Sequence, residues 1–403
     1  MSEMLAVDGF GPLPVRRPQS VAEVCELVKA ADGGIYPVGG GTALDLGLVP
    51  AKPGFALDTR GLNAVVEHAS RDMTVTVQAG ITVQALADVL AKEGQWLPID
   101  VPHPMRATVG GAVAANLSGP RRLGHSTFRD YVIGISFVTD EGVEVKGGGR
   151  VVKNVAGYDL MKLMIGSLGT LGVITQLTLK VKPKPEATAV VTFGVSGAAV
   201  GPTLDRLHAS ASRPMAVEVL NAAASVAGLK TAEPWLIACG FEEKRVTVDW
   251  QVKTLTDELK GSPARDVTVI RDADAVPVWH ALSHLQAAQD GRFTLKANVM
   301  PSQTAEFAAA AAGTHSEAAV HAHAGNGIVY VHLPAEIGVE RASAILAELT
   351  KRTTANGNVT VRRCPPDWKR VLPVWGADRG DRELMRQVKR TLDPREVFNP
   401  GRM

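Results

Sequence analysis

Aromatic side chains are scarce. Phe, Trp and Tyr make up 5% of the 403 residues, which leaves few flat platforms on which single-stranded nucleic acid could stack. Cysteine is scarcer still, at Cys25, Cys239 and Cys364. These three are too far apart for a CxxC or iron–sulfur pattern and read most simply as reduced thiols. An excess of one charge is also missing. Lys+Arg number 43 against 41 Asp+Glu, a formal net charge of +2, so the basic surplus typical of nucleic-acid binders is absent. No apolar run reaches the roughly 18–20 residues of a membrane-spanning helix. The first 20 residues lack a charged region followed by an apolar stretch, so no signal peptide is expected.

What is there is glycine, 40 residues in all, 25 of them before residue 173 and 15 after. Hydrophobic residues at 45% and charged residues at 21% are ordinary for a soluble globular chain. The length suggests two to three domains. The first part of the chain has a special need for glycine.

Residues 18–94 alternate helix and strand. Ser20 with Glu23 three residues on predicts a capping box opening a helix over Val21–Ala31. Ile35–Val38 reads as a short strand broken by Gly39-Gly40-Gly41, and Thr74–Gln78 as an alternating strand. Thr82 caps a predicted helix Val83–Glu93 that stops at Gly94. Val132–Val138 and Val143–Lys146 read as a hairpin turned at Asp140-Glu141-Gly142, Asp159–Ile165 as a short helix, and Val173–Val181 as a strand. The Pro183-Lys184-Pro185 linker marks a domain boundary.

Beyond it, strand-like runs (Ala189–Phe193, Trp235–Gly240, Thr268–Ile270, Thr294–Val299, Ile328–Leu333) alternate with helical ones (Pro202–Ala211, Val246–Leu259, Ala305–Ala312, Glu340–Thr350). This predicts an α+β domain. A basic helix over Gly380–Leu392 precedes the last residues.

Pro37-Val38-Gly39-Gly40-Gly41-Thr42-Ala43-Leu44 follows a strand. Consecutive glycines let main-chain N–H groups converge on an anion with no Cβ in the way. The pattern is neither Walker A nor GxGxxG, and a turn serving only the chain is the competing reading. Three companions strengthen the binding reading: 107–116 (ATVGGAVAAN), 154–160 (NVAGYDL) and 166–175 (GSLGTLGVIT).

These four stretches occur in the order and approximate spacing of the PCMH-type FAD-binding domain of the vanillyl-alcohol oxidase superfamily, which the chain resembles over about residues 18–183. The run at 152–163 (VKNVAGYDLMKL) and the terminus at 384–403 (LMRQVKRTLDPREVFNPGRM) are similar to the small FAD-binding E subunits of bacterial glycolate oxidases, with a thinner likeness across 190–350. The resemblance implies an α+β chain. A two-subdomain PCMH-type FAD-binding domain (1–183) would be followed by an α+β cap domain with an antiparallel sheet (184–356) and a C-terminal segment (357–403) returning to the flavin.

It also implies roles. Val38, Gly39, Gly40, Gly41 and Thr42 would hold the FAD diphosphate. Thr108, Gly110, Gly111 and Asn116 would line the cofactor, Gly169, Thr170, Gly172 and Ile174 would contact it through backbone, and Asn399 would come back near the ring. Relatives with covalent flavin carry a His after the paired glycines, where this chain has Thr42, so non-covalent FAD is expected.

The implied activity is oxidation of a 2-hydroxy acid. It needs a proton acceptor, commonly His, and an Arg or metal for the carboxylate. His321 and His323 share a face along a strand, joined by His332 if its strand pairs nearby. They read either as a base or metal site or as sheet histidines satisfied by hydrogen bonds. The large D subunits of glycolate oxidases carry His-x-Gly-Asp-Gly-Asn-x-His here. This chain has His323-Ala324-Gly325-Asn326-Gly327-Ile328-Val329-Tyr330, so no metal is expected.

Arg362 and Arg363, in a β-like run, are the candidates for the substrate carboxylate. Arg382, Arg386, Lys389 and Arg390 read as a solvated helix face, and His103, between two prolines, as a turn. With no cysteine cluster of its own, the chain would pass electrons outward. The resemblance implies a larger FAD-binding subunit and an iron–sulfur subunit as partners, a small 2-hydroxy acid as substrate, no nucleic acid, and a cytoplasmic location, peripheral at the inner membrane through those partners. Two alternatives stay open: a self-sufficient D-lactate-type dehydrogenase, and a non-catalytic assembly or electron-relay subunit.

Overall fold

Helix starts follow the predicted caps. In the computed structural model, which describes residues 3–149, 158–224, 226, 228–287, 292–354 and 357–403, the Ser20 hydroxyl accepts from Glu23 N–H at 3.2 Å and opens helix Val21–Lys29. The Glu23 carboxylate reaches back one residue further than expected and accepts from Gln19 N–H at 3.0 Å. Thr82 accepts from Ala85 N–H at 3.1 Å and opens Val83–Ala91. The chain then turns at Gly94. The hairpin is present, with its second strand at Glu144–Gly148 rather than Val143–Lys146. Of the 154–160 motif, residues 154–157 lie outside the described residues.

The chain divides into two units. The first comprises residues 3–118, 127–184 and 378–403. It holds a four-stranded sheet in the order Met4–Val7, Phe10–Arg16, Gly54–Asp58, Gly34–Val38. Its second sheet is antiparallel, in the order Val65–Ala69, Thr74–Gln78, Val173–Lys180, Val132–Val138, Glu144–Gly148. The C-terminal residues extend the first sheet. Ile35 N–H donates to Val397 O at 2.7 Å and Asn399 N–H to Ile35 O at 2.9 Å.

Asp393, wholly buried, ties this return together. Its carboxylate accepts from Val397 and Phe398 N–H at 3.0 and 2.9 Å and pairs with Lys389. Lys389 in turn donates to Thr170 O and Phe398 O at 2.7 and 2.9 Å. Lys389 is therefore a structural tie, not part of a solvated face.

The second unit comprises residues 119–126 and 185–377. The sequence reading placed 119–126 in the first domain and kept 357–403 as one segment, whereas the structure splits the latter after Ala377. Side chains explain the first assignment. Arg121 forms a two-pronged pair with Glu242 at 2.7 and 2.9 Å, lies 4.4 Å over the Trp279 ring, and is followed by Gly124, whose N–H donates to Met215 O at 2.9 Å.

The sheet of this unit has eight antiparallel strands in the order Arg265–Arg271, Ala187–Val195, Trp235–Glu243, Ala216–Asn221, Ala319–His323, Ile328–Pro334, Arg292–Asn298, Asn358–Arg363. One face is apolar along its central row: Phe193, Ile237, Val219, Ala322, Val329 and Ala297 follow one another across it, all buried. The other changes character. Under helix Ala275–Leu285, which the sequence reading missed, it carries Val190, Ala216, Leu220, Leu236 and Ala238. Beyond Leu220 it becomes polar.

Candidate functional site

The glycine loop after strand Gly34–Val38 forms one wall of a cleft in the first unit. Val38, Gly39, Gly40, Gly41, Thr42, Thr108, Gly110, Gly111, Gly169, Gly172, Ile174 and Asn399 all line it. The cleft holds about 860 Å³ free of atoms, partly continuous with solvent. Among the described residues, the N–H groups of Gly40, Gly41, Thr42, Ala43 and Leu44 donate to no protein acceptor. Five successive bare donors at a cleft wall suit a polyanion, and the small residues opposite leave room for it. The residues therefore fit the diphosphate of a dinucleotide.

The glycines serve the chain before they serve a ligand. A Cβ on Gly40 would lie 1.7 Å from Arg106 O, and one on Gly39 would lie 2.0 Å from Thr108 Oγ1. The two loops touch backbone to backbone, and that contact sets the N–H row.

Two expected cofactor residues lie elsewhere. Asn116 is exposed, with φ +48°, and closes the short helix Val109–Ala114 by donating its N–H to Val113 O at 3.0 Å. Thr170 is buried, donates its hydroxyl to Ser167 O at 2.7 Å, and does not line the cleft. His103 takes a turn conformation, with φ +54°, and accepts from Arg106 and Ala107 N–H through its carbonyl.

The structure adds Arg402, which lines the cleft and donates to Leu44, Leu46 and Leu48 carbonyls, holding the far side of the loop. Nothing in the glycine pattern pointed to it. Its signal was a charged residue just after Asn-Pro-Gly.

The polar face of the second unit gathers the other candidates. Cross-strand rows run Glu218–His323–Ile328–Asn298, Leu220–His321–Tyr330–Lys296–Thr360 and Ala319–His332–Thr294. His321 stacks on Tyr330 at 4.8 Å and on His332 at 5.5 Å. Both its ring nitrogens are buried without a partner. Burial holds its pKa well below 6.5, helped by His332 and His323. Burial likewise lowers His332 to about 4.

His323 differs. Its Nδ1 lies 2.8 and 2.9 Å from the two Glu218 carboxylate oxygens, both residues being almost wholly buried, and its Nε2 has no partner. Glu218 lies in strand Ala216–Asn221, which was not predicted.

At the other end of the middle row, the half-buried Lys296 amine sits 5.9 Å from the Tyr330 ring. Burial lowers its pKa to about 7, with Arg362 and Arg122 adding to the effect. Among the described residues, neither Lys296 nor Arg362 has a carboxylate partner. The ladder slips by one residue beside Thr294, so Arg363 stands opposite Thr294 while Arg362 is the charge felt at Lys296. Among the described residues no three His, Cys, Asp or Glu side chains gather as metal ligands would.

The chain matches the family described as FAD binding domain over residues 12–148 and the family described as FAD linked oxidases, C-terminal domain, over 182–360 and 376–403. It belongs to the FAD-linked oxidases, binds FAD, and is an oxidoreductase with the PCMH-type α+β architecture that its sequence resembles.

Among its relatives, the glycolate oxidase subunit GlcD of Bacillus subtilis is 27% identical over 96% of this chain and 87% of its own length. The D-lactate dehydrogenase of Archaeoglobus fulgidus is 27% identical over 96% and 90%. The glycolate oxidase subunit GlcE of Escherichia coli is 41% identical over 136 residues, 34% of this chain and 39% of its own. A solved alkyldihydroxyacetonephosphate synthase superposes with a TM-score of 0.69 over 96% of this chain and 75% of its own, at 19% identity, a likeness of fold.

Proposed function

We propose that this chain is the small, GlcE-type FAD-binding subunit of a glycolate-oxidase-type complex that oxidises 2-hydroxy acids to 2-oxo acids. Bound FAD supplies the hydride acceptor. Gly40, Gly41 and Thr42 would hold its diphosphate through main-chain N–H groups, with Thr108, Gly110, Gly111, Gly169, Gly172, Ile174 and Asn399 around it. The first loop carries Thr42 where a flavin-linking His would stand, so the binding is non-covalent.

One observation carries the substrate class. A single sheet face offers an imidazole beside a carboxylate and, one row away, an amine near a guanidinium with no acid of their own. A 2-hydroxy acid needs both a proton acceptor for its hydroxyl and a cation for its carboxylate. Lys296 and Arg362 would take the carboxylate. Electrons would leave through a larger flavin subunit and an iron–sulfur subunit, in the cytoplasm beside the inner membrane.

A second reading, a self-sufficient dehydrogenase, draws on the relatives. The GlcD and D-lactate dehydrogenase likenesses span 96% of this chain, whereas the GlcE likeness spans 34%.

Anaerobic titration of the FAD-loaded chain with glycolate and D-lactate separates the two. Flavin bleaching in the isolated chain supports the self-sufficient enzyme, and bleaching only after co-purified partners are added supports the subunit. No bleaching in either setting, across a panel of 2-hydroxy acids, sinks both.

A further inference from the structure

The bare N–H groups of residues 40–44 supply partial charges, whereas a diphosphate carries full negative ones. A formal cation at the same loop would complete the match. Arg402, on the loop's far side, is already committed. It is almost wholly buried, pairs with Asp8 at 3.3 Å and donates to the carbonyls of Leu44, Leu46 and Leu48. Its charge has a counter-charge and its donors have acceptors.

Arg106 differs. Its main chain is fixed. Its N–H donates to His103 O at 2.9 Å, and its carbonyl would lie 1.7 Å from a Cβ on Gly40, so its backbone packs directly on the glycine loop. Its side chain is exposed and held weakly. Nη2 donates to Gly40 O at 3.4 Å, longer than an ordinary bond of this kind. Among the described residues no carboxylate pairs with it. The guanidinium nevertheless stays at the cleft. A Cβ on Gly41 would lie 3.9 Å from Arg106 Nη2 and 3.8 Å from Leu44 Cδ1, and Leu44 lines the cleft. The charge is thus anchored through its backbone to the glycine loop, while its far end can turn to an anion on the N–H row.

We propose that Arg106 is a cofactor-binding residue whose guanidinium leaves the Gly40 carbonyl and takes the FAD diphosphate. The proposal rests on the reading that the N–H groups of residues 40–44 hold that diphosphate. A guanidinium presents two parallel N–H donors to a phosphate, so its fork contributes as well as its charge. Arg106 directly precedes the small-residue stretch at 107–116. One loop therefore supplies both the room for the cofactor and the cation.

The test uses the purified flavoprotein, its FAD released and then reloaded, comparing wild type with R106Q and R106K. Melting temperature and flavin content as isolated serve as folding controls. Reloading is followed by flavin fluorescence, with ADP and adenosine as competitors. ADP carries a diphosphate and adenosine carries none. R106Q should weaken FAD and ADP alike by about 10–100-fold. Its affinity for adenosine should change by no more than about twofold. R106K keeps the charge but loses the fork, and should fall between wild type and R106Q.

If ADP outcompetes adenosine in wild type and R106Q narrows that gap by less than about threefold, the assignment fails while the diphosphate reading stands. The assignment also fails if R106Q weakens FAD, ADP and adenosine equally and lowers the melting temperature, because Arg106 then only props the loop. If ADP competes no better than adenosine in wild type, the diphosphate reading itself fails and takes the assignment with it.

Discussion

In the first unit the groups offered to a ligand are main-chain N–H donors on residues 40–44 of the cleft wall, while the candidate groups of the second unit are side chains of neighbouring strands on one of its own sheet faces. The first surface contains almost no chemistry and depends on how closely backbones approach. The second contains an acid, three histidines, a tyrosine and an amine, and depends on which residues share a row. A backbone cradle suits a ligand held through its diphosphate. A side-chain row can change one residue at a time while the strands that carry it stay paired.

The comparison breaks first at Asp393. Asp393→Ala would remove the acceptor for two buried N–H groups and leave Lys389 without its counter-charge. A loss of about 3–5 kcal/mol is expected, read from the denaturant midpoint together with flavin content. Unchanged stability and flavin would mean that the first cleft does not depend on the returning C-terminus.

Acid should separate the units next. His332 and His321 are held neutral in the folded chain, with pKa values below the ordinary 6.5. As pH falls through 6.5 the unfolded chain takes up protons that the folded one refuses. Stability therefore drops from pH 6.5 towards about 4, the His332 value. That histidine alone accounts for about 3 kcal/mol over the window. Five of the six tryptophans (Trp235, Trp250, Trp279, Trp368, Trp375) lie in the second unit, so tryptophan fluorescence reports it. Flavin release reports the first. Fluorescence should change before flavin is lost, and the reverse order would refute the contrast.

The smallest effects sharpen the picture of the cradle. Gly40→Ala forces a methyl to within 1.7 Å of the Arg106 carbonyl, so the loops must part, at about 1–3 kcal/mol. Gly41→Ala meets only ordinary contacts, the nearest at 3.8 Å, but must hold φ +69°, which costs about 1–2 kcal/mol. Flavin affinity should fall more for Gly40→Ala than for Gly41→Ala, measured by fluorescence titration. Equal losses would mean that loop contact is not what sets the N–H row.

Much of this was readable in advance where the signal is local. Ser20, Thr82 and Gly94 announce helix ends through hydrogen bonds a few residues long. The apolar runs from Trp235 and Ile328 announce strands by composition. The glycine stretches located the cleft, although Asn116 and Thr170 turned out to serve a helix end and a turn. Glu218 was not readable. It is one acidic residue in an unremarked apolar run, and it becomes meaningful only when the chain brings it opposite His323 from 105 positions away.

Sequence alone pointed to a ligand cradled by backbone, through glycine at 39–41, 110–111, 169 and 172, and the family resemblance those stretches carry implied FAD. It also implied that His321 and His323 would share a face if their segment were a strand, which it is. Tertiary structure decided which histidine has a carboxylate, which arginine bears on Lys296, and how residues 393–402 hold the glycine loop. Those depend on register between distant strands and on desolvation of paired charges, and neither is a property of any short stretch of chain.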